Sequence, residues 1–170
     1  FHVDAQVLAD FLGIQVHEIE PAGLLDAIEA VKDERIVAEM KEDGLAFQVD
    51  APYDVHWRSL AIGLGLRDYL DANGYDAFSM NFLAFQDDSG PLSTVPFLEC
   101  CKAMARGLGY AGEGDVLTAA LISALSTAVG PTTFTEMICP DWAGGTVFLS
   151  HMGEFNPAVA AEKPRLYEKE

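Results

Sequence analysis

The sequence is short of positive charge and of long apolar runs. Only 10 residues are Lys or Arg, against 27 Asp or Glu, so the formal net charge is −17. A chain with this charge repels polyanions, and we therefore predict that it binds no nucleic acid. No run approaches the roughly 20 apolar residues that cross a bilayer, and no basic flank precedes an apolar stretch at the N-terminus. We therefore predict a cytoplasmic protein that does not contact the membrane.

Cysteine is also scarce. Cys100, Cys101 and Cys139 are an odd number and lack metal-finger spacing. Adjacent cysteines seldom bond to each other, because the geometry of a disulfide is specific. We therefore expect reduced thiols in the core.

Hydrophobic periodicity predicts a folded α/β chain, in keeping with a composition that is 50% hydrophobic and 22% charged. The predicted elements are a strand at 13–19, a short helix after Pro21, helices at 33–47 and 55–70, a strand at 75–82, helices at 95–106 and 116–127, and strands at 132–137 and 145–150. Asn73-Gly74 is a helix stop signal. Gly63-Leu64-Gly65 lacks the third glycine of a dinucleotide turn and indicates helix packing.

The order of these elements changes along the chain. Strand, helix and strand up to residue 108 predict a layered αβα domain with a mostly parallel sheet. Consecutive strands after that point predict part of a β-rich unit. We therefore predict two domains, residues 1–108 and 109–170. The chain starts at Phe1 without an initiator Met, so we expect it to be a portion of a longer protein.

Three polar side chains stand at predicted element ends in the last third of the chain. Glu113 lies between two glycines before a helix, and Glu136 and His151 each end a predicted strand. Side chains at such ends converge on a crevice in α/β proteins, and two carboxylates with an imidazole suit Mn²⁺, Mg²⁺ or Zn²⁺. Plainer interpretations stay open: a helix N-terminal acid, an exposed strand residue and a hydrogen-bonded core histidine.

The stretch Gly-Tyr-Ala-Gly-Glu-Gly-Asp-Val-Leu-Thr-Ala-Ala-Leu at residues 109–121 resembles the metal-site segment of the L-arabinose/L-fucose isomerase family. The resemblance continues through the stretches 133–136, 149–154 and 157–160, and upstream through 75–78 and 81–82. With weaker similarity at residues 4–6, it covers nearly the whole chain. It identifies the two predicted domains as the family's middle domain and the start of its catalytic domain.

The resemblance implies a metal-dependent isomerase that converts an L-sugar, L-arabinose or a related one, into a ketose through an enediol. It implies Glu113, Glu136 and His151 as ligands of Mn²⁺ or another divalent cation, with a fourth ligand in a later segment. The two glutamates would also be the acid and base, and Phe82 would line the sugar pocket. It further implies a homo-oligomer and an inactive isolated piece. The chain departs from the family's acidic pattern at residues 83–86 and at Met137.

A non-catalytic acidic α/β module that binds a sugar or a partner protein is the alternative function. Such a module would leave Glu113 and Glu136 exposed and would bury His151 in the core. The isomerase instead requires the three side chains to converge on one metal ion. Where the structure places Glu113, Glu136 and His151 therefore distinguishes the isomerase from the binding module.

Overall fold

The computed structural model describes residues 4–85 and 90–168. The α-helices of this part of the chain are α1 (Ala5–Leu12), α2 (Leu25–Glu29), α3 (Asp33–Ala46), α4 (Tyr53–Asn73), α5 (Phe97–Ala105) and α6 (Val116–Val129). Its strands are β1 (Gln48–Val49), β2 (Ala77–Ser79), β3 (Gly109–Ala111), β4 (Glu136–Asp141), β5 (Thr146–Ser150) and β6 (Arg165–Leu166).

The described strands form three two-stranded sheets. β1 pairs with β6 and β2 with β3, both in parallel, and β4 pairs with β5 as an antiparallel hairpin. Helix α6 packs against β2 and β3, and α5 packs against β3. Parallel strands need crossover connections, which here contain helices. The predicted α/β class is therefore confirmed.

Helix α4 forms the centre of the core. Ile62 and Leu66 pack in a cluster with β3 and α5, whereas Leu60 and Leu64 pack in a second cluster with α3. A helix buried on two sides shows little amphipathicity, and the buried residues of α4 are accordingly not confined to one face. The predicted packing role of its glycines is confirmed, because a Cβ at Gly65 would lie 2.7 Å from the Cα of Ile28. Helix α4 ends at Asn73, before a left-handed Gly74, as the stop signal predicts.

Three strand predictions are wrong in part or in whole. The strand predicted at 75–82 is shorter than expected and spans only Ala77–Ser79. Residues 13–20 form no strand, although Ile14 and Val16 are half-buried and Gln15 is exposed. Alternation reports only which side chains face the protein, and this segment has no strand to pair with. The strand predicted at 132–137 instead begins at Glu136, because Asn156 bonds the main-chain oxygen of Thr132 and the hydroxyl of Thr133.

A partly buried ionic network links α3, α4 and α5. Arg67 donates to Glu99 at 2.7 Å and to Glu39 at 2.8 Å, and Lys102 pairs with Glu39 at 2.9 Å and with Asp43. Burial alone would raise the pKa of Glu39, but the hydrogen bonds from Arg67 and Lys102 outweigh it and lower the pKa to about 2. Glu39 therefore stays ionised, and the network holds three helices together.

The three cysteines are all free thiols. Cys100 is buried and Cys101 partly buried, as expected of core thiols, and burial raises the pKa of Cys101 to about 12. Cys139 is exposed on the hairpin, so the prediction of a core thiol is wrong for that residue. Among the described residues, no helix is both long and apolar enough to cross a membrane.

Candidate active site

A cavity of about 370 Å³ opens where the start of α6 meets the hairpin of β4 and β5. Its lining includes all three predicted ligands, Glu113, Glu136 and His151. The remaining lining residues are Gly112, Asp115, Thr118, Phe134, Thr135 and Met137. The structure therefore brings together residues that lie up to 38 positions apart in the sequence.

Glu113 lies in the tight turn between β3 and α6. Its φ of 59° is left-handed, and so is the φ of 80° at the following Gly114. Such a backbone is costly for a residue with a Cβ. The side chain of Asp115, not that of Glu113, caps α6 by accepting from the main chain of Thr118 at 2.9 Å. The exposed Glu113 carboxylate is thus not engaged as the helix cap.

Glu136 begins β4 and is exposed. The antiparallel register places it opposite Ser150, which ends β5 directly before His151. The hairpin therefore carries Glu136 and His151 at the same end, although Glu136 starts its strand rather than ending it. Within the described part of the chain, neither Glu113 nor Glu136 forms an ion pair.

His151 is held on two sides. Its Nδ1 lies 3.0 Å from the main-chain oxygen of Glu154, and its ring lies 4.6 Å from that of Phe134. A carbonyl oxygen only accepts, so Nδ1 carries the proton in a neutral imidazole, and Nε2 keeps the lone pair that a metal requires. The side chain is 15% exposed. His151 is therefore neither fully exposed nor sealed in the core.

Phe82 does not line the cavity. It opens a 3₁₀ turn at Phe82–Ala84, after β2, and its ring packs edge-on against Phe97 at 5.1 Å. A Cβ at Gly112 would lie 3.1 Å from the Phe82 ring, a tight contact, so the two residues are packed closely together. Phe82 therefore stands behind the wall that Gly112 forms. Of the nearby residues that depart from the family pattern, residue 86 lies outside the described residues.

The donor atoms suit a divalent cation, but they do not yet converge. Two carboxylates and an imidazole with a free Nε2 are the ligand types that Mn²⁺ accepts. In residues 4–85 and 90–168, however, no three His, Cys, Asp or Glu side chains lie close enough to hold a metal ion. Coordination would require the exposed Glu113 and Glu136 side chains to turn toward His151.

Sequence reasoning missed the residues that support His151. Tyr110 and Glu154 are both buried, and the Tyr110 hydroxyl donates to the Glu154 carboxylate. The signal that could have found Glu154 is its place three residues after His151, next to buried Asn156. No local pattern indicates Tyr110, because its contact spans 44 positions.

Comparison with known proteins gives one consistent result. The family model for the L-arabinose isomerase central domain matches residues 2–130. The L-arabinose isomerase of Clostridium beijerinckii is 32% identical over 95% of this chain and 33% of that protein. That of Pediococcus pentosaceus is 33% identical over 85% of this chain and 32% of its own length. The chain thus spans about a third of the length of these curated relatives.

Proposed function

Because this chain belongs to the L-arabinose isomerase family, we propose that it is part of a metal-dependent enzyme that isomerises L-arabinose, or a related L-sugar, to the ketose. The observation that carries the proposal is the cavity shared by Glu113, Glu136 and His151. These residues come from the turn before α6 and from one end of the hairpin. Of the proposed domains, residues 1–108 and 109–170, the second would therefore supply all three of these side chains.

The proposed ligands of Mn²⁺, or of another divalent cation, are Glu113, Glu136 and His151. The bound ion would polarise the oxygen atoms of the sugar. His151 would contribute Nε2, since Nδ1 is occupied by the oxygen of Glu154. A further ligand would come from outside the described residues.

Glu113 and Glu136 would also move the proton. One carboxylate takes the proton from C2 of the aldose while the other, in its protonated form, gives a proton to O1, which leaves an enediol across C1 and C2. The first then delivers its proton to C1 while the second takes the hydroxyl proton from O2, so that the ketose forms and both groups are restored. Both carboxylates are exposed and line one cavity, which supports their assignment as this pair.

The proposal also covers the sugar pocket, the binding partners and the oligomeric state and location of the protein. Phe82 does not line the cavity itself, so it would act on the sugar pocket only by packing behind Gly112. The partner would be a small sugar, with neither nucleic acid nor a membrane involved. We further propose a homo-oligomer in the cytoplasm, and expect the 170-residue piece alone to be inactive.

One observation favours a second candidate function. The three side chains share a cavity without reaching coordination distance in the described residues. A sugar-binding module without catalysis would need no closer approach. Such a module would bind a sugar with the same affinity whether or not Mn²⁺ is present.

The deciding experiment is a titration of Mn²⁺ into the intact protein, with ketose formation from L-arabinose and from L-fucose as the readout. In a Glu113→Gln, Glu136→Gln variant we expect turnover to fall at least about 100-fold, because a positioned acid or base contributes about that much or more. A Glu18→Gln, Glu20→Gln variant is the matched control, since both residues are exposed and distant in sequence from the cavity. Sugar binding without Mn²⁺-dependent turnover would instead favour the binding module.

A further inference from the structure

We propose that Tyr110 is a positioning residue for His151 and acts through Glu154 and Phe134. This inference rests on the proposed function, since it takes His151 as a metal ligand. Tyr110 lies on β3, in the fully buried core, and has no place in the cavity lining. It connects the core to the segment that carries His151 by two separate routes.

The first route is a chain of hydrogen bonds. The Tyr110 hydroxyl donates to Oε1 of Glu154 at 2.5 Å, and Glu154 is only 4% exposed. A buried carboxylate without such a donor would be costly, so this bond fixes where Glu154 lies. Glu154 then presents two oxygens to Nδ1 of His151: its main-chain oxygen at 3.0 Å and Oε2 at 3.7 Å. By fixing Glu154, the hydrogen bond from Tyr110 sets which nitrogen of His151 carries the proton and where its imidazole lies.

The second route is ring packing. The Tyr110 ring meets the buried Phe134 ring edge-on, with centroids 6.1 Å apart. Phe134 in turn lies 4.6 Å from the ring of His151. Packing fixes the plane of the imidazole, whereas the hydrogen bonds fix which nitrogen faces the cavity. Both routes begin at the same tyrosine.

Burial keeps the hydroxyl in its donating form. Removal from water raises the pKa of Tyr110, and the neighbouring Glu154 carboxylate raises it further. The phenol therefore stays protonated at neutral pH. Tyr110 therefore remains a hydrogen-bond donor and does not change its protonation state.

Hydrogen bonds from Asn156 hold the segment after Glu154 in place independently of Tyr110. Fully buried Asn156 donates to the main-chain oxygens of Met104 at 3.2 Å and of Thr132 at 2.9 Å. These bonds tie the segment after Glu154 to the core without any help from the Tyr110 hydroxyl. Removing that hydroxyl alone should thus leave the segment attached while releasing the imidazole.

The test measures Mn²⁺ binding to the full-length protein by electron paramagnetic resonance, with spin-echo modulation to detect a coordinated imidazole nitrogen. Tyr110→Phe keeps the ring and removes only the hydroxyl. We expect its Kd for Mn²⁺ to rise about 10-fold to 100-fold, as for other residues that orient a metal ligand, and the nitrogen signal to weaken. Tyr75→Phe, a partly buried tyrosine that packs against His17 and Tyr69, is the control and should leave both unchanged.

A second variant guards against misfolding. If Tyr110→Phe fails to fold because Glu154 is left buried without a donor, the double variant Tyr110→Phe, Glu154→Gln removes that buried charge and should show the same loss. A folded variant with the affinity and nitrogen signal of the wild type would overturn the positioning role alone. Absence of a nitrogen-coupled Mn²⁺ in the wild type would overturn the proposed function together with it.

Discussion

The helical body of the chain and its hairpin are built in opposite ways. The body comprises α2–α6 with β2 and β3, and its central helix buries residues such as Leu64 completely. The hairpin of β4 and β5 has almost no buried residue, and Trp142 at its tip is 89% exposed. Phe148 and Leu149 lie on opposite faces of β5, and both are more than half exposed. Neither face of the hairpin is therefore covered by the described residues.

This difference matters because the candidate site spans both regions. Glu113 stands on a turn of the body, whereas Glu136 and His151 stand at one end of the hairpin. A two-stranded hairpin is marginally stable by itself in water. The geometry of the site thus depends on how firmly the hairpin end is attached to the body, and buried Glu154 and Asn156 make that attachment.

The largest contrast should come from deleting the same side chain in each region. We expect Leu64→Ala to lower the free energy of unfolding by about 3 to 4 kcal/mol, because it leaves a cavity in a closed core. Leu149→Ala, at a position 55% exposed, should cost less than about 0.5 kcal/mol. Urea unfolding followed by circular dichroism measures both values. Equal costs would mean that the hairpin belongs to the cooperative core.

Removing a polar side chain should also lower the free energy of unfolding more in the body than on the hairpin, with a smaller difference between the two. Arg67→Ala leaves Glu39 and the buried Glu99 short of a partner and should cost about 3 kcal/mol. On the hairpin, Asp141 accepts only from two main-chain amides of its own turn. Asp141→Ala should therefore cost less than about 1 kcal/mol in the same unfolding experiment. A larger loss for Asp141→Ala than for Arg67→Ala would contradict the comparison.

The smallest difference between two measured stabilities should appear in acid. The pKa of Glu39 is about 2 in the folded body and near its ordinary 4.5 in the unfolded chain. A lowered pKa stabilises the folded state above the unfolded value, and that stabilisation is lost as pH falls from 4.5 toward 2. Glu39 is partly exposed, so solvent screening reduces the contribution to about 1 to 2 kcal/mol.

The Glu39→Gln variant isolates this term, since glutamine resembles the protonated acid at every pH. At pH 6 the wild type should be more stable than the variant by that amount, and near pH 2 the two should converge. Urea midpoints at both values measure the difference. A gap that does not change with pH would show that the ion pairs to Arg67 and Lys102 contribute nothing.

Local patterns predict the body better than its connections. The end of α4 at Asn73-Gly74 follows from the residues themselves, because a left-handed glycine stops a helix. Glu113, Glu136 and His151 could be nominated as neighbours because each stands beside the end of a helix or strand. The missing strand at 13–19 and the late start of β4 could not be predicted, since pairing depends on which distant segment is available. The same holds for Arg67 with Glu99 and for Tyr110 with Glu154, whose contacts span 32 and 44 positions.

The left-handed backbone at Glu113 determines which substitutions would be favourable at that position. At a φ of 59°, glycine or asparagine would fit with less strain, and glutamate costs of order 1 kcal/mol or more. Random substitution filtered by stability alone would replace glutamate there in few steps. A library screened only for thermal resistance should lose Glu113 early, whereas one screened for the proposed Mn²⁺-dependent turnover should retain it.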